Sequence, residues 1–383
     1  MSRSRSHEGL RVLAVTNVGR SAVQAYLAPL AALDEVAEVV VVRDRPNISV
    51  QGKLRLLTPP AWWAGHTVTK LAARSWLLRS EAAERPPDVL TTVHWFPDGP
   101  DVLRLARRLG VPLVANIIGS SAELIHGGRK LALSIAPRAL KNVAECYFSE
   151  CLNASTAVTF TGRATLDWFR GFGVRRPQLS VLHAAMDSER LKPGKAGRDI
   201  DVVYVGRLDA DKRADRALRV LSLLARRHSG LHAALIGIGH DELERLPVFI
   251  ELRGALGGRL EVRGWISDVA EVLRAAKVLL VTSDSEGRTL AVLEAMLCGA
   301  VPVATLVGDL GEAIAEGAGA LVPLGGDEDD LVRRLADETD VLLQDEGRRS
   351  RMAAQGREQV CREHDPTRTQ QEWRGLLRTV VGL

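Results

Sequence analysis

Residues Val278 to Pro302 read VLLVTSDSEGRTLAVLEAMLCGAVP, and the rest of the chain is organised around this stretch. VLLV at Val278 to Val281 has the unbroken apolar character of a strand buried on both faces, as in a parallel sheet. Small polar residues and Gly287 follow, and then Leu290, Leu293, Glu294 and Leu297 recur at helical spacing. The start of such a helix presents backbone N–H groups that have no partner inside it, and these suit an anion. Glu286 precedes the helix and Glu294 lies about two turns along it, so both acids can face the space beyond the strand's carboxyl end. A phosphate at the helix start with a carboxylate on either side is what a nucleotide-linked sugar requires. The plainer reading is an ordinary strand–loop–helix unit with surface acids.

Composition widens the picture to two domains of a globular protein. A chain of 383 residues exceeds what one ordinary core serves. Its 46% apolar and 26% charged content is that of a soluble protein. Basic and acidic residues number 51 and 47, a formal charge of +4, too mild for a nucleic-acid partner. Cys146, Cys151, Cys298 and Cys361 form no CxxC pair and no metal-ligand spacing, which fits a reducing cytoplasm. The start, MSRSRSHEG, leads straight into a strand pattern and not into a signal-peptide core. No apolar run reaches the roughly 18 to 20 residues that span a bilayer.

Strand and helix patterns alternate along the whole chain. Strands are expected at Leu10–Thr16, Glu38–Val42, Asp88–Val93, Val111–Ile117, Thr156–Phe160 and Gln178–Leu182. The helices between them are Ala22–Leu33, Asp101–Leu109, about Lys130–Cys146 and Arg163–Phe172, the last capped by Thr161. The polar stretch Met186–Arg198 with its Pro and Gly reads as a linker. A second alternation begins at Asp201 and includes a helix from about Asp211 to His228. Such alternation implies parallel sheets covered on both faces. The expected organisation is a basic tail (1–9), a first domain (10–185), a linker (186–199), a second domain (200–364) and a terminal helix (365–383).

Candidate ligand groups cluster at strand ends. Gly206, Arg207 and Lys212, in VGRLDADK, leave the second half's first strand. Arg grips a diphosphate bidentately, Lys adds a mobile charge, and together they oppose the charge of a departing nucleoside diphosphate. Gly237 and Gly239, in LIGIGHDEL, allow close backbone approach. Gly264 and Trp265 end another strand, where the indole covers a base or simply packs. In the first half, VHWFPD ends a strand with His94, Trp95 and Asp98. There His94, with Asp98 near it on the acceptor side, either serves proton transfer or a sugar hydroxyl or is a satisfied structural histidine. NIIGSS carries Gly119, Ser120 and Ser121, candidates for substrate hydroxyls. Leu56 to Arg79 holds Trp62, Trp63 and Trp76 among Lys70, Arg74 and Arg79. A basic, tryptophan-bearing amphipathic helix there either lies in a membrane interface or buries its aromatics.

The order VGRLDADK, LIGIG, RGWISDV and SEGRTLAVLEAMLCGAVPVA resembles the retaining glycosyltransferases of family 4 (glycosyl transferases group 1), with the GT-B fold, over roughly Leu10 to Leu383. Glu286 and Glu294 are similar to that family's E-x7-E signature. VLHAAMDSERLKP is similar to its interdomain passage, and HWFPDGPDVLRLARRLGVPLV to a first-half passage of members that build cell-surface glycans. The resemblance implies an α/β protein of two Rossmann-like domains with parallel sheets facing across a cleft, and a last helix from Asp365 crossing back to the first domain. It implies that Arg207 and Lys212 hold the diphosphate of a UDP- or GDP-sugar. Glu286 would then meet the sugar, Glu294 the ribose, and the loop Gly287–Arg288 with the backbone of Thr289 and Leu290 the phosphate. Transfer would retain anomeric configuration by front-face attack, with no protein nucleophile and no required metal, although Mg2+ can accompany a diphosphate.

Departures from the family lie in the first half. VTNVGRSAV has one glycine, Gly19, where the family carries a pair, and IGSS puts Ile118 and Ser121 where many members have His and Asp. Two other classes remain to be weighed. An NAD-dependent oxidoreductase needs GxGxxG after its first strand, which both LAVTNVG and VYVGRLD lack. A non-catalytic nucleotide-sugar-binding or scaffold protein would have only the altered IGSS stretch in its favour. The expectation is a cytoplasmic transferase, with 56–79 either a peripheral membrane contact or, as is more usual of such a helix, a segment that buries its aromatics.

Overall fold

The computed structural model describes residues 9–44, 52–60, 67–119 and 138–382. The chain divides into two compact units, one of Met1–Ala185 with Pro366–Leu383 and the other of Met186–Asp365.

Seven parallel strands form the first unit's sheet: β1 (Leu10–Thr16), β2 (Val36–Val42), β3 (Leu54–Leu57), β4 (Val89–Val93), β5 (Leu113–Ile117), β6 (Ala157–Phe160) and β7 (Gln178–Val181). They lie in the order β3-β2-β1-β4-β5-β6-β7. Residues of β1, β4 and β5 are buried throughout, as expected of central parallel strands. Helices α1 (Arg20–Ala31), α2 (Thr67–Glu84), α3 (Gly99–Leu109), α4 (Arg138–Asn153) and α5 (Arg163–Gly171) complete this part of the chain.

The second unit repeats the plan with β8 (Ile200–Val205), β9 (Ala233–Ile236), β10 (Leu260–Arg263), β11 (Ala276–Val281), β12 (Val301–Leu306) and β13 (Ala320–Pro323). Their order is β10-β9-β8-β11-β12-β13, again all parallel. The helices are α6 (Ala214–Arg227), α7 (His240–Leu243), α8 (Pro247–Leu256), α9 (Ala270–Ala275), α10 (Leu290–Cys298), α11 (Leu310–Ala313), α12 (Glu328–Gln344) and α13 (Glu346–Glu363). A final helix, α14 (Pro366–Val381), belongs to the first unit. In each sheet the strand order reverses between the first and fourth strands, β1 and β4 or β8 and β11. A ligand crevice forms outside the carboxyl ends at such a point.

Several boundaries differ from the sequence expectation for physical reasons. Leu54–Leu57 is an edge strand beside β2, so Leu56 and Leu57 are not helical, and α2 begins at Thr67. Trp62 and Trp63 lie outside the described residues. Gly162, not Thr161, is the N-cap of α5, and the Thr161 side chain is buried. α4 continues past Cys146 to Asn153, and the earlier part of its expected span (130–137) lies outside the described residues. α6 starts at Ala214 because Arg213 stands in the left-handed region (φ 50°, ψ 51°), which no helix accommodates. The stretch expected as a linker is fastened to the second unit. Arg357 donates to the carbonyls of Ser188 (3.1 Å) and Leu191 (2.9 Å), and Arg274 to those of Arg190 (2.6 Å) and Lys192 (3.0 Å).

Candidate active site

The loops that leave β8 and β11 meet at the second sheet's switch point. Lys212 Nζ lies 2.5 Å from Glu286 Oε1, and the hydroxyl of Ser283 donates to that same oxygen at 2.6 Å. Glu286 is buried, and Lys212 partly so. Neutral hydrogen bonds register the loops: Asp284 N–H donates to the Asp211 carbonyl (2.9 Å), and the Thr282 hydroxyl faces the carbonyls of Lys212 and Arg213 at 3.2 and 2.9 Å. Tyr204, whose burial pushes its phenol far above the usual range, donates its hydroxyl to the Lys212 carbonyl at 3.3 Å. Arg207 stands apart, 60% exposed and paired with Asp209 at 2.9 Å.

The opposite flank of Glu286 is backbone. Gly308 (φ 52°) packs so closely that a Cβ there would lie 1.7 Å from the Glu286 carbonyl oxygen. Gly287 leads to Arg288, whose buried guanidinium turns inward, within 3.3 Å of His364 Nε2 and of Glu312. The side chain of Arg288 therefore faces the protein and not the loop's open side. Thr289 is the N-cap of α10 with an extended backbone and no side-chain cap, which leaves first-turn N–H groups for an anion. Glu294 is buried on the second turn. Gly206 and Gly237 touch through their main chains: a Cβ on Gly237 (φ 94°) would lie 2.7 Å from the Gly206 carbonyl. Gly239, the N-cap of the short α7, donates its N–H to the Glu242 carboxylate (3.0 Å), and Trp265 is 73% exposed beyond β10. Ser283, Thr282, Tyr204 and Gly308 carried no assigned role in the sequence. Thr282 and Gly308 act through contacts distant in the chain, and the nearer contacts of Ser283 and Tyr204 depend on loop conformation that spacing does not show.

In the first unit, His94 adopts φ 75°, and its Nδ1 lies 2.7 Å from the Phe96 carbonyl. Asp98 accepts Arg74 Nε at 2.9 Å, and Arg74 also pairs with Asp44. Burial pushes the Asp98 carboxyl up, because one guanidinium shared between two acids offsets only part of the desolvation; Arg74 itself is held more firmly protonated. Gly119 follows β5, while Ser120 and Ser121 lie outside the described residues. Among the described residues no group of three or more His, Cys, Asp or Glu could hold a metal ion. Nor is any helix among them long and apolar enough to cross a membrane.

Residues 186–359 match the family described as Glycosyl transferases group 1, and residues 30–190 match Glycosyltransferase Family 4. A D-inositol 3-phosphate glycosyltransferase of Frankia alni is 31% identical over 320 residues, 77% of this chain and 74% of that protein. The chain belongs to the glycosyl transferases group 1. A second relative of that activity, from Stackebrandtia nassauensis, is 40% identical over 305 residues, 73% of this chain and 66% of that protein. Sucrose-phosphate synthase from Thermosynechococcus elongatus shares the fold at a TM-score of 0.77 and 18% identity, over 97% of this chain and 99% of that one. Anabaena HepE, solved with UDP-glucose, does so at 0.74 and 17%, over 97% and 100%. This group 1 member is thus a glycosyltransferase of GT-B fold, built on two parallel-sheet Rossmann-like units.

Proposed function

We propose that this glycosyltransferase moves a hexosyl group from a UDP- or GDP-sugar to a glycan, lipid-linked or small-molecule acceptor, with retention of anomeric configuration. The observation that carries the reading is the Lys212–Glu286 contact beside the uncapped start of α10. Without a ligand, the ammonium and carboxylate neutralise each other. A donor diphosphate at the helix start draws Lys212 to itself, and Glu286 is released to accept from sugar hydroxyls. Arg207, exposed and on a long side chain, folds onto the same diphosphate. As the glycosidic bond breaks, charge grows on the leaving phosphate, where Lys212, Arg207 and the α10 N–H groups oppose it. Glu294 meets the ribose and Trp265 the base. The backbone of Gly206, Gly237 and Gly239 borders the nucleotide. His94, Asp98, Gly119, Ser120 and Ser121 stand on the acceptor side. Mg2+ can accompany the diphosphate but has no assigned ligand.

Two measurements test this reading. A thermal-shift screen of UDP-, GDP- and dTDP-sugars should find a donor that raises the melting temperature, since a ligand that binds only the native state stabilises it. Transfer from that donor, with inositol phosphates tried first as acceptors because of the relatives' named activity, should fall about 100- to 1,000-fold in Lys212→Ala and in Glu286→Ala. Wild-type rates in both variants would remove these residues from the site.

Peripheral attachment at the inner face of a membrane is supported by Trp76, 56% exposed on α2, with Arg79 one turn on. Pelleting with anionic liposomes tests it: recovery in the supernatant that is unchanged by lipid ends the idea.

A further inference from the structure

Lys212 and Arg213 are consecutive cations that the chain sends to different acids. Lys212 meets Glu286, whereas Arg213 meets Asp284, two residues earlier on the same loop. The divergence comes from the backbone, because Arg213 is left-handed at φ 50°. That conformation costs a non-glycine residue roughly 1 kcal/mol or more and persists only where the surroundings impose it.

Here the surroundings are a closed ring of charges. Arg213 donates to Asp284 Oδ2 (3.0 Å), to Glu328 Oε1 (2.9 Å) and through Nε to Asp215 (3.0 Å). Arg216, with 3% of its side chain exposed, takes Glu328 bidentately at 2.8 and 2.9 Å, and also lies 2.8 Å from Asp284 Oδ1. Its remaining hydrogen bond goes to the Thr282 carbonyl, 2.7 Å away, at the root of the Glu286 loop. These ion pairs hold Arg213 protonated well beyond its ordinary range and hold Glu328 below its own.

We propose that Arg213 and Asp284, closed by Arg216 and Glu328, are positioning residues: their clasp locks the two loops in register and sets Lys212 against Glu286. None of the four is asked to touch the donor. The proposal rests on the reading of Lys212 and Glu286 as donor ligands. A misplacement of about 1 Å in groups that meet the transition state costs on the order of 100-fold, so a loop clasp has catalytic weight.

Arg213→Gly removes the guanidinium yet relieves the backbone, and Asp284→Asn keeps the shape without the charge, so both variants should fold. UDP release from UDP-glucose should fall about 10- to 100-fold in either, on kcat, with KM within about threefold, because charge on the leaving group develops in the transition state. Arg213→Lys, charged but without the fork, should fall between. In a Lys212→Ala background the same changes should cost less than about twofold, since they act through Lys212. Crystal structures of Arg213→Gly and Asp284→Asn should show Lys212 Nζ withdrawn from Glu286.

Three results overturn the clasp: wild-type kcat in either variant, equal losses with and without Lys212, or the Lys212–Glu286 contact kept within about 3 Å in both crystal structures. If Lys212→Ala itself turns over UDP-glucose normally, the reading of the site fails instead, and the crystal distances alone decide the clasp.

Discussion

Glu286 is held from two directions, and the side without a charge is the less forgiving. Lys212 and Ser283 contact its carboxylate, but Gly308 presses on its carbonyl, and Asp309 N–H donates to that carbonyl at 3.4 Å. A methyl group at 308 would need the Glu286 backbone to move by about 1.5 Å to reach ordinary contact, and φ 52° adds strain of its own. Gly308→Ala should therefore lower transfer at least as much as Glu286→Asp does, with a stability loss of about 2 kcal/mol or more. Activity and urea unfolding on one preparation check this, and a variant matching wild type in both would show that the loop yields freely. Sequence patterns did not mark Gly308. VGDLG reads as an ordinary turn, because close approach to a residue 22 positions away is a tertiary fact. Glu286, Glu294 and Lys212 were legible as candidates because each sits in a short contiguous motif, and the structure brings Lys212 and Glu286 into contact. Arg288 shares such a motif, yet it points inward to Glu312 and His364, and spacing alone does not show direction.

At the scale of elements, β-branched runs made the central strands legible, as in VLTTV of β4, while the edge strand LRLL is only half-buried and carries no such signal. The α6 start moved because one left-handed residue interrupts a periodic pattern. α14 shows how an element legible from Trp373, Leu376 and Leu377 is fixed by polar contacts that periodicity does not show. Arg368 approaches His183 Nε2 at 3.3 Å, so a neutral His183 carries its proton on Nδ1 and donates it to Glu372 at 2.6 Å. His183 N–H donates to the other carboxylate oxygen at 2.8 Å. Burial alone would raise the Glu372 pKa, but the His183 hydrogen bonds and Arg368 outweigh it, and the carboxyl is held below its ordinary value of 4.5. A depressed folded-state pKa stabilises fully above the unfolded value, and the contribution is lost as pH falls through the folded one. The wild type should therefore melt higher than Glu372→Gln at pH 7, and the gap should close as pH drops below about 4.5. A gap of constant size down to pH 3 would mean that packing, not charge, is what Glu372 contributes.

For the whole molecule, the proposed donor side offered more candidates than the proposed acceptor side because its motifs follow a fixed order along one sheet. The first-unit candidates come instead from two loops, His94 and Asp98 after β4 and Gly119 after β5, and part of that side lies outside the described residues. The same asymmetry makes removal of α14 informative. The chain passes from the first unit to the second after Ala185 and returns at Pro366. In the first unit α14 buries Trp373, Leu376 and Leu377, donates from Trp373 Nε1 to the Tyr26 carbonyl at 2.8 Å, and pairs Arg374 with Glu35 at 2.6 Å. Three such side chains at about 1.5 to 3 kcal/mol each approach the whole stability of an ordinary domain, about 5 to 15 kcal/mol. Truncation after His364 should unfold the first unit or lower its melting transition sharply. The second unit loses no residue of its sheet or of the Lys212–Glu286 pair, so its transition should stay in place and still rise with the donor that stabilises the full chain. Transfer should vanish with the first unit if the proposed acceptor groups lie there. Calorimetry with and without donor separates the two transitions; unaltered melting and activity in the truncated chain would show that α14 is dispensable.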